Sequence, residues 1–250
     1  MYYGTVRGWQ IILPLHPLSQ NHQEHQIVFP PRLHHNERSG VWGERVREGF
    51  RYVRQDDILM GTLTVEETFE FQAALRLHHL TEGEKQYRIN QILKQLNLEE
   101  CRNARVGGQF SKSISGGQRK RVAIGIELLA NPQCIVLDEP TSGLDSHNAY
   151  KIIRILKDLS KEGKIVIATL HQPSSLMFKE LDRLLLLSSG QTLYLGKASR
   201  VVEYMQNLGI KVNEKMNPAD FFMLEVSEYK KSTGYQTKMT SHSWEGFERK

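Results

Sequence analysis

Asp138 and Glu139, which close the apolar run Cys134-Ile135-Val136-Leu137, are the residues of this 250-residue sequence best placed to do chemistry. A run without polar interruption fits a strand covered on both faces, as in a parallel sheet. The carboxyl ends of such strands are where open α/β sheets bind ligands. There Asp138 can hold Mg²⁺ through water, and Glu139 can polarise an attacking water. Upstream, Ser115-Gly116-Gly117-Gln118 combines a good N-cap with two glycines that let a ligand approach the backbone. The free N–H groups of the helix it opens, at the positive end of the dipole, suit an anionic phosphate. Downstream, Ser142-Gly143-Leu144-Asp145 turns the chain into another helix.

Each fragment alone is a common turn or strand end; their joint order is specific. The run from Ser113 to Ser146 resembles the ABC-type ATPases, with SGGQ as their signature loop, IVLDE as the Walker B strand and SGLD as the D-loop. YVRQDDILMGTLTVEETFEFQAALRL, His171-Gln172-Pro173-Ser174 and Asn217-Pro218-Ala219-Asp220-Phe221-Phe222 are similar to the G subfamily of those transporters. The resemblance covers residues 51–226. It implies a P-loop-NTPase-like (RecA-like) α/β fold, a parallel sheet core with a small helical subdomain, and ATP and Mg²⁺ as cofactors. On the same resemblance Gln55 is the Q-loop residue that touches Mg²⁺ and the attacking water. His171 is the switch histidine that donates to the γ-phosphate. Ser115, Gly116, Gly117, Gln118, Asp138 and Asp145 are nucleotide-binding. Two such domains pair head to tail in the family, each ATP lying between one P-loop and the partner's SGGQ. A transmembrane domain, on the same or another chain, holds the pair at the cytoplasmic face of a membrane. Hydrolysis there drives substrate export.

The elements that must position these residues are legible around them. Arg51 to Arg54 reads as a short strand, followed by a helix whose Thr64 and Glu67 form a capping box. Phe69, Ala73, Leu75 and Leu77 give that helix its apolar side. A polar helix over 82–100 carries Ile89, Ile92, Leu93 and Leu96 on one face. Together they form a helical subdomain over about 60–120. Asn131-Pro132 ends the helix that SGGQ opens, because proline lacks the donor of the next turn. Ala149, Ile152, Ile153, Leu156 and Leu159 mark a further helix, and Ile165 to Leu170 a second buried parallel strand ending at His171. Strand, helix and strand in this rhythm make a βαβ unit. Leu184 to Leu187 and Thr192 to Leu195 read as a hairpin, and Ser199 to Leu208 as a helix.

A net charge of +5 permits contact with nucleic acid or anionic lipid. Its clearest cluster, Arg119-Lys120-Arg121, reads as a solvated face near phosphates, so no nucleic-acid partner is expected. A hydrophobic fraction of 39% describes a soluble globular chain. No apolar run approaches the ~18 residues of a membrane span. Cys101 and Cys134 have no metal-type spacing and suggest a reducing compartment, with Cys134 a small buried strand residue.

Residues 1–50 carry five of the 10 histidines, without metal-site spacing, and no helical or strand period persists there. Ile11-Ile12-Leu13 is broken by Pro14 and Pro17 and does not read as a secretory signal. They form an unassigned leader, 51–226 a partial nucleotide-binding domain, and 227–250 a polar linker. A P-loop, G-x-x-x-x-G-K-[ST], is absent from the sequence, and its place lies upstream of Gln55. The N-terminal part of the domain therefore reads as missing or replaced, and the chain stops where the family continues into its membrane helices. Beside a transport ATPase, two other readings stand: an inactive partner that lends only the SGGQ side to another half-domain, and a soluble ABC ATPase acting on ribosomes or DNA.

Overall fold

The computed structural model describes residues 9–15, 49–107, 113–188 and 191–207, with the single residues 209, 217, 219 and 221. Six strands are present among them: β1 (Trp9–Leu15), β2 (Phe50–Val53), β3 (Cys134–Leu137), β4 (Ile165–Thr169), β5 (Arg183–Ser188) and β6 (Gln191–Lys197). They form one sheet in the order β2-β3-β4-β1-β5-β6. The first five run parallel to their neighbours, and β6 turns back antiparallel on β5 as the expected hairpin. Leu137 pairs with Ala168, and Ile12 with Thr169. The carboxyl ends of β3, β4 and β1 therefore open on one edge of the sheet. That edge receives Asp138, Glu139 and His171, as expected of a parallel α/β sheet.

β1 corrects the reading of residues 1–50 as lacking any strand. Trp9–Leu15 is an interior strand, with β4 on one side and β5 on the other. Pro14 hid it, since proline in a run argues against a central strand. The ladder accommodates Pro14 next to the strand's end, opposite Leu187, where it forfeits a single donor.

Among the described residues six α-helices accompany the sheet: α1 (Val65–Arg76), α2 (Glu82–Gln95), α3 (Gly116–Leu128), α4 (Ser146–Lys161), α5 (Ser175–Lys179) and α6 (Val201–Asn207). Thr64 and Glu67 make the capping box read from the sequence, and Thr81 with Glu84 makes a second. Val65, Phe69 and Ala73 bury one face of α1, with Leu77 just beyond it, but Leu75 stays 63% exposed. Positions 69, 73 and 77 lie four apart and stack on one stripe; position 75 falls across the helix from it. α1 packs on α2 and α3, and α4 lies against β4 and α3.

The tightest seam in that packing is at Gly125 of α3. A Cβ there would lie 2.6 Å from Phe69 Cζ and 2.8 Å from Leu96 Cδ1, and both side chains are fully buried. Gly125→Ala is therefore expected to destabilise by about 1–3 kcal/mol through overpacking, outweighing the ~1 kcal/mol that alanine gains in helix propensity. A urea midpoint at or above that of the parent chain would refute this steric account.

The basic cluster after SGGQ is not a solvated face. Lys120 and Arg121 are 3% and 9% exposed. Arg121 Nη1 donates to the carbonyls of Leu96 and Asn97 at 2.9 and 3.0 Å, tying the end of α2 to the start of α3. Cys101 is buried while Cys134, at the start of β3, is only partly so. Burial raises both thiols, Cys134 to about 11.

Candidate functional site

Beyond Leu137 the β3 backbone continues one step, the Asp138 N–H donating to the Val53 carbonyl at 2.9 Å. It then turns sharply, Glu139 adopting φ +39°, a left-handed conformation that costs a non-glycine residue energy. The turn is held from the neighbouring strand. Thr169 Oγ1 accepts from the Glu139 N–H at 2.8 Å and donates to Asp138 Oδ1 at 2.7 Å. From β2, the Tyr52 hydroxyl donates to Asp138 Oδ2 at 2.9 Å. Burial first, then the hydrogen bond and negative charge of Asp138, push the Tyr52 phenol up to about 12. Just past β2, Gln55 Nε2 donates to Glu139 Oε2 at 2.9 Å. Gln55, Asp138 and Glu139 thus meet, as the sequence expects.

His171 follows β4 as Glu139 follows β3, and the two line one open cleft of about 450 Å³. Ser142, Gln172, Ser174 and Asn217 line it too. Gln172 also sits at positive φ, +47°, and Asn217 Nδ2 donates to the Pro173 carbonyl at 2.8 Å, which fastens the loop after His171. The walls are mostly polar side chains and backbone. Such a cleft suits a hydrated, charged ligand better than an apolar one.

The helix mouth forms as its residue types require. Ser115 Oγ accepts from the Gln118 N–H, and Gln118 Oε1 accepts from the Ser115 N–H at 2.8 Å. The Gln118 side chain is thereby engaged in the cap. Gly117 is demanded by packing as well, since a Cβ there would sit 3.0 Å from Asn148 Cβ. Gly116 lies beside Leu144. Asp145 caps α4, its Oδ1 accepting from the N–H groups of His147 and Asn148, and these bonds hold its carboxyl below the usual range. Lys120, one turn into α3, donates to the Gln55 carbonyl at 2.7 Å and meets the Asp57 carboxylate at 2.6 Å. The latter approach lies off the hydrogen-bonding direction and is an ion pair. Lys120 thus connects the helix mouth to the segment that holds Glu139.

The sequence assigns no site role to Tyr52, Thr169, Lys120 or Asn217. Each acts on a residue between 30 and 86 positions away, or on a strand end formed by another segment, and no local pattern signals that. Among the described residues no group of three or more His, Cys, Asp or Glu could hold a metal ion by itself. The donors that do gather, two carboxylates and an amide, are hard oxygen ligands. They fit Mg²⁺, which takes one or two carboxylates and completes its shell with water and substrate phosphates. No described helix is long and apolar enough to cross a membrane.

The ABC transporter family model matches residues 19–142, beginning inside the stretch left unassigned from sequence, and an ABC-2 type transporter model matches residues 171–245. ABC transporter G family member 26 of Arabidopsis thaliana is 49% identical over 179 residues, 71% of this chain and 26% of that protein. The broad substrate specificity ATP-binding cassette transporter ABCG2 of Rattus norvegicus is 47% identical over 173 residues, 69% of this chain and 26% of that protein. The chain thus spans about a quarter of the length of these curated relatives. Among solved structures, cbiO1 from Clostridium perfringens, part of the ABC transporter complex cbiONQ, superposes with a TM-score of 0.58 at 26% identity, over 68% of this chain and 66% of that one.

Proposed function

The chain belongs to the ABC transporter family, with G-type members among its relatives, and from that premise we propose that it handles ATP for a membrane transporter. In this reading residues 51–226 are the nucleotide-binding part and 227–250 a linker, and ATP hydrolysis drives substrate across the membrane. The observation that carries the proposal is the shared cleft of Glu139 and His171, with Gln55 hydrogen-bonded to Glu139.

The geometry supports the following roles. Glu139, fixed by Gln55 and by its N–H bond to Thr169, polarises the attacking water. His171 donates to the γ-phosphate from across the cleft. Asp138 and Gln55 would hold Mg²⁺, which when bound would neutralise phosphate charge. Ser115, Gly116 and Gly117 present the N-terminus of α3 to a nucleotide phosphate, while Gln118 and Asp145 keep the two helix starts in shape. A second nucleotide-binding domain supplies the other half of each site. A transmembrane domain docks on the exposed apolar side chains Ile58, Met60, Phe71, Leu75 and Tyr87, which the helical subdomain and the segment after Gln55 leave uncovered. In this reading the chain lies at the cytoplasmic face of a membrane.

A second reading has its own support: the sequence contains no G-x-x-x-x-G-K-[ST], yet the helix mouth at Ser115 is formed, with both bonds of its capping box in place. Here the chain lends only the SGGQ side to ATP held by a P-loop-bearing partner. ATP affinity and turnover of the purified chain, alone and with such a partner, separate the two. Micromolar binding and turnover by the chain alone support the first and exclude the second. No turnover in either setting overturns both.

A further inference from the structure

Asp138 is gripped on both oxygens by side chains of two other strands. Thr169 takes Oδ1 and Tyr52 takes Oδ2, at 2.7 and 2.9 Å. The same Thr169 oxygen accepts the N–H of Glu139, at the residue with the left-handed φ. One hydroxyl therefore sets the orientation of Asp138 and the direction in which Glu139 leaves the strand. A hydroxyl has one proton to give and two lone pairs, so this double use fixes its rotor with the O–H directed at Asp138. A carboxylate accepts at about four lone-pair positions, and two remain on Asp138 for other partners. Valine at position 169 would keep the shape and lose both bonds. It would leave the Glu139 N–H unsatisfied in its strained turn and free the carboxylate of Asp138 to rotate.

We propose that Thr169 and Tyr52 are positioning residues, a two-sided clamp that presents the free lone pairs of Asp138 to the divalent cation of a metal–nucleotide complex. The inference rests on the reading that Asp138 faces Mg²⁺. Hydrogen-bonded supports of a ligating carboxylate typically account for about 10–100-fold in metal affinity. Tyr52, on the edge strand and 40% exposed, can lose its hydroxyl without opening the core; Thr169 is buried.

The test uses Mn²⁺ as the probe, with bound ion counted by electron paramagnetic resonance on the purified chain in saturating ATP. Asp138→Asn serves as the reference for binding at this site. Thr169→Val and Tyr52→Phe are each expected to weaken Mn²⁺ binding by about 10–100-fold, and Thr169→Ser, which keeps both hydrogen bonds, to retain the parent affinity. Parent-like affinity in both Thr169→Val and Tyr52→Phe, with binding lost in Asp138→Asn, overturns the clamp alone. Mn²⁺ uptake that Asp138→Asn leaves unchanged, or no uptake by the parent chain, overturns the metal reading and the clamp with it. Should Thr169→Val fail to fold, Tyr52→Phe decides the matter. Tighter binding in that variant would mean that the phenol blocks the metal, and would also overturn the clamp.

Discussion

Lys120→Met is expected to lower the stability of the chain by about 3–5 kcal/mol, the scale on which a buried ion pair suffers when one partner is removed. The Lys120 side chain is 4% exposed and that of Asp57 14%. Methionine matches the length of the lysine stem but leaves the Asp57 carboxylate buried without its cation, and the Gln55 carbonyl without its donor. An exposed pair would contribute only ~0–1 kcal/mol, so the size of the loss distinguishes the two environments. Urea unfolding of the single variants, and of Lys120→Met combined with Asp57→Leu, measures this directly. Removing both partners should recover much of the loss, because the uncompensated charge is gone. Single variants that unfold within about 0.5 kcal/mol of the parent would show the pair to be idle. Functionally, the same contact links the helix mouth to Gln55, and through Gln55 to Glu139. Lys120→Met should therefore disturb the helix mouth and the segment that holds Glu139 together.

Glu139→Gln is expected to reduce ATP turnover by about 10²–10⁴-fold, the range attributable to a positioned general base. The substitution leaves the fold alone. A glutamine carbonyl accepts from Gln55 Nε2 as the carboxylate does, and the N–H bond to Thr169 belongs to the backbone. The measurement is steady-state phosphate release by the chain together with a P-loop-bearing partner, beside nucleotide binding as a control for assembly. Turnover lost with binding retained places the water-polarising role on Glu139. Unchanged turnover would mean that hydrolysis runs at the partner's site, and the second reading would stand in place of the first.

Much of the site was readable from order alone. The apolar run followed by Asp138-Glu139 reads as a buried parallel strand with acids at its tip once it is joined to the SGGQ and SGLD turns on either side. The structure sets β3 between β2 and β4 with the acids at the carboxyl edge. The caps at Thr64, Thr81, Ser115 and Asp145 are local chemistry, each a side chain bonding a backbone donor within three residues. Leu75 falls outside the apolar stripe because helical periodicity, and not nearness in sequence, decides which residues share a face. Trp9–Leu15 is illegible as a strand because Pro14 and Pro17 interrupt its apolar run.

Lys120 and Arg121 mark the boundary between the two kinds of knowledge. Charged residues in sequence default to solvent, and only partners from distant segments, Gln55 and Asp57 for one and the end of α2 for the other, make burial tolerable. The same holds for Tyr52 and Thr169, whose hydroxyls say nothing until sheet pairing carries them to Asp138 from either side. The sequence by itself determined the strand-and-helix plan, the caps, the acids at the strand tip and the family, because these depend on periodicity and on contacts within a turn. Tertiary structure alone decided which side chains hold the acids in place and that β1 fills the sheet's interior. Those outcomes depend on register between strands remote in sequence, and no local pattern encodes it.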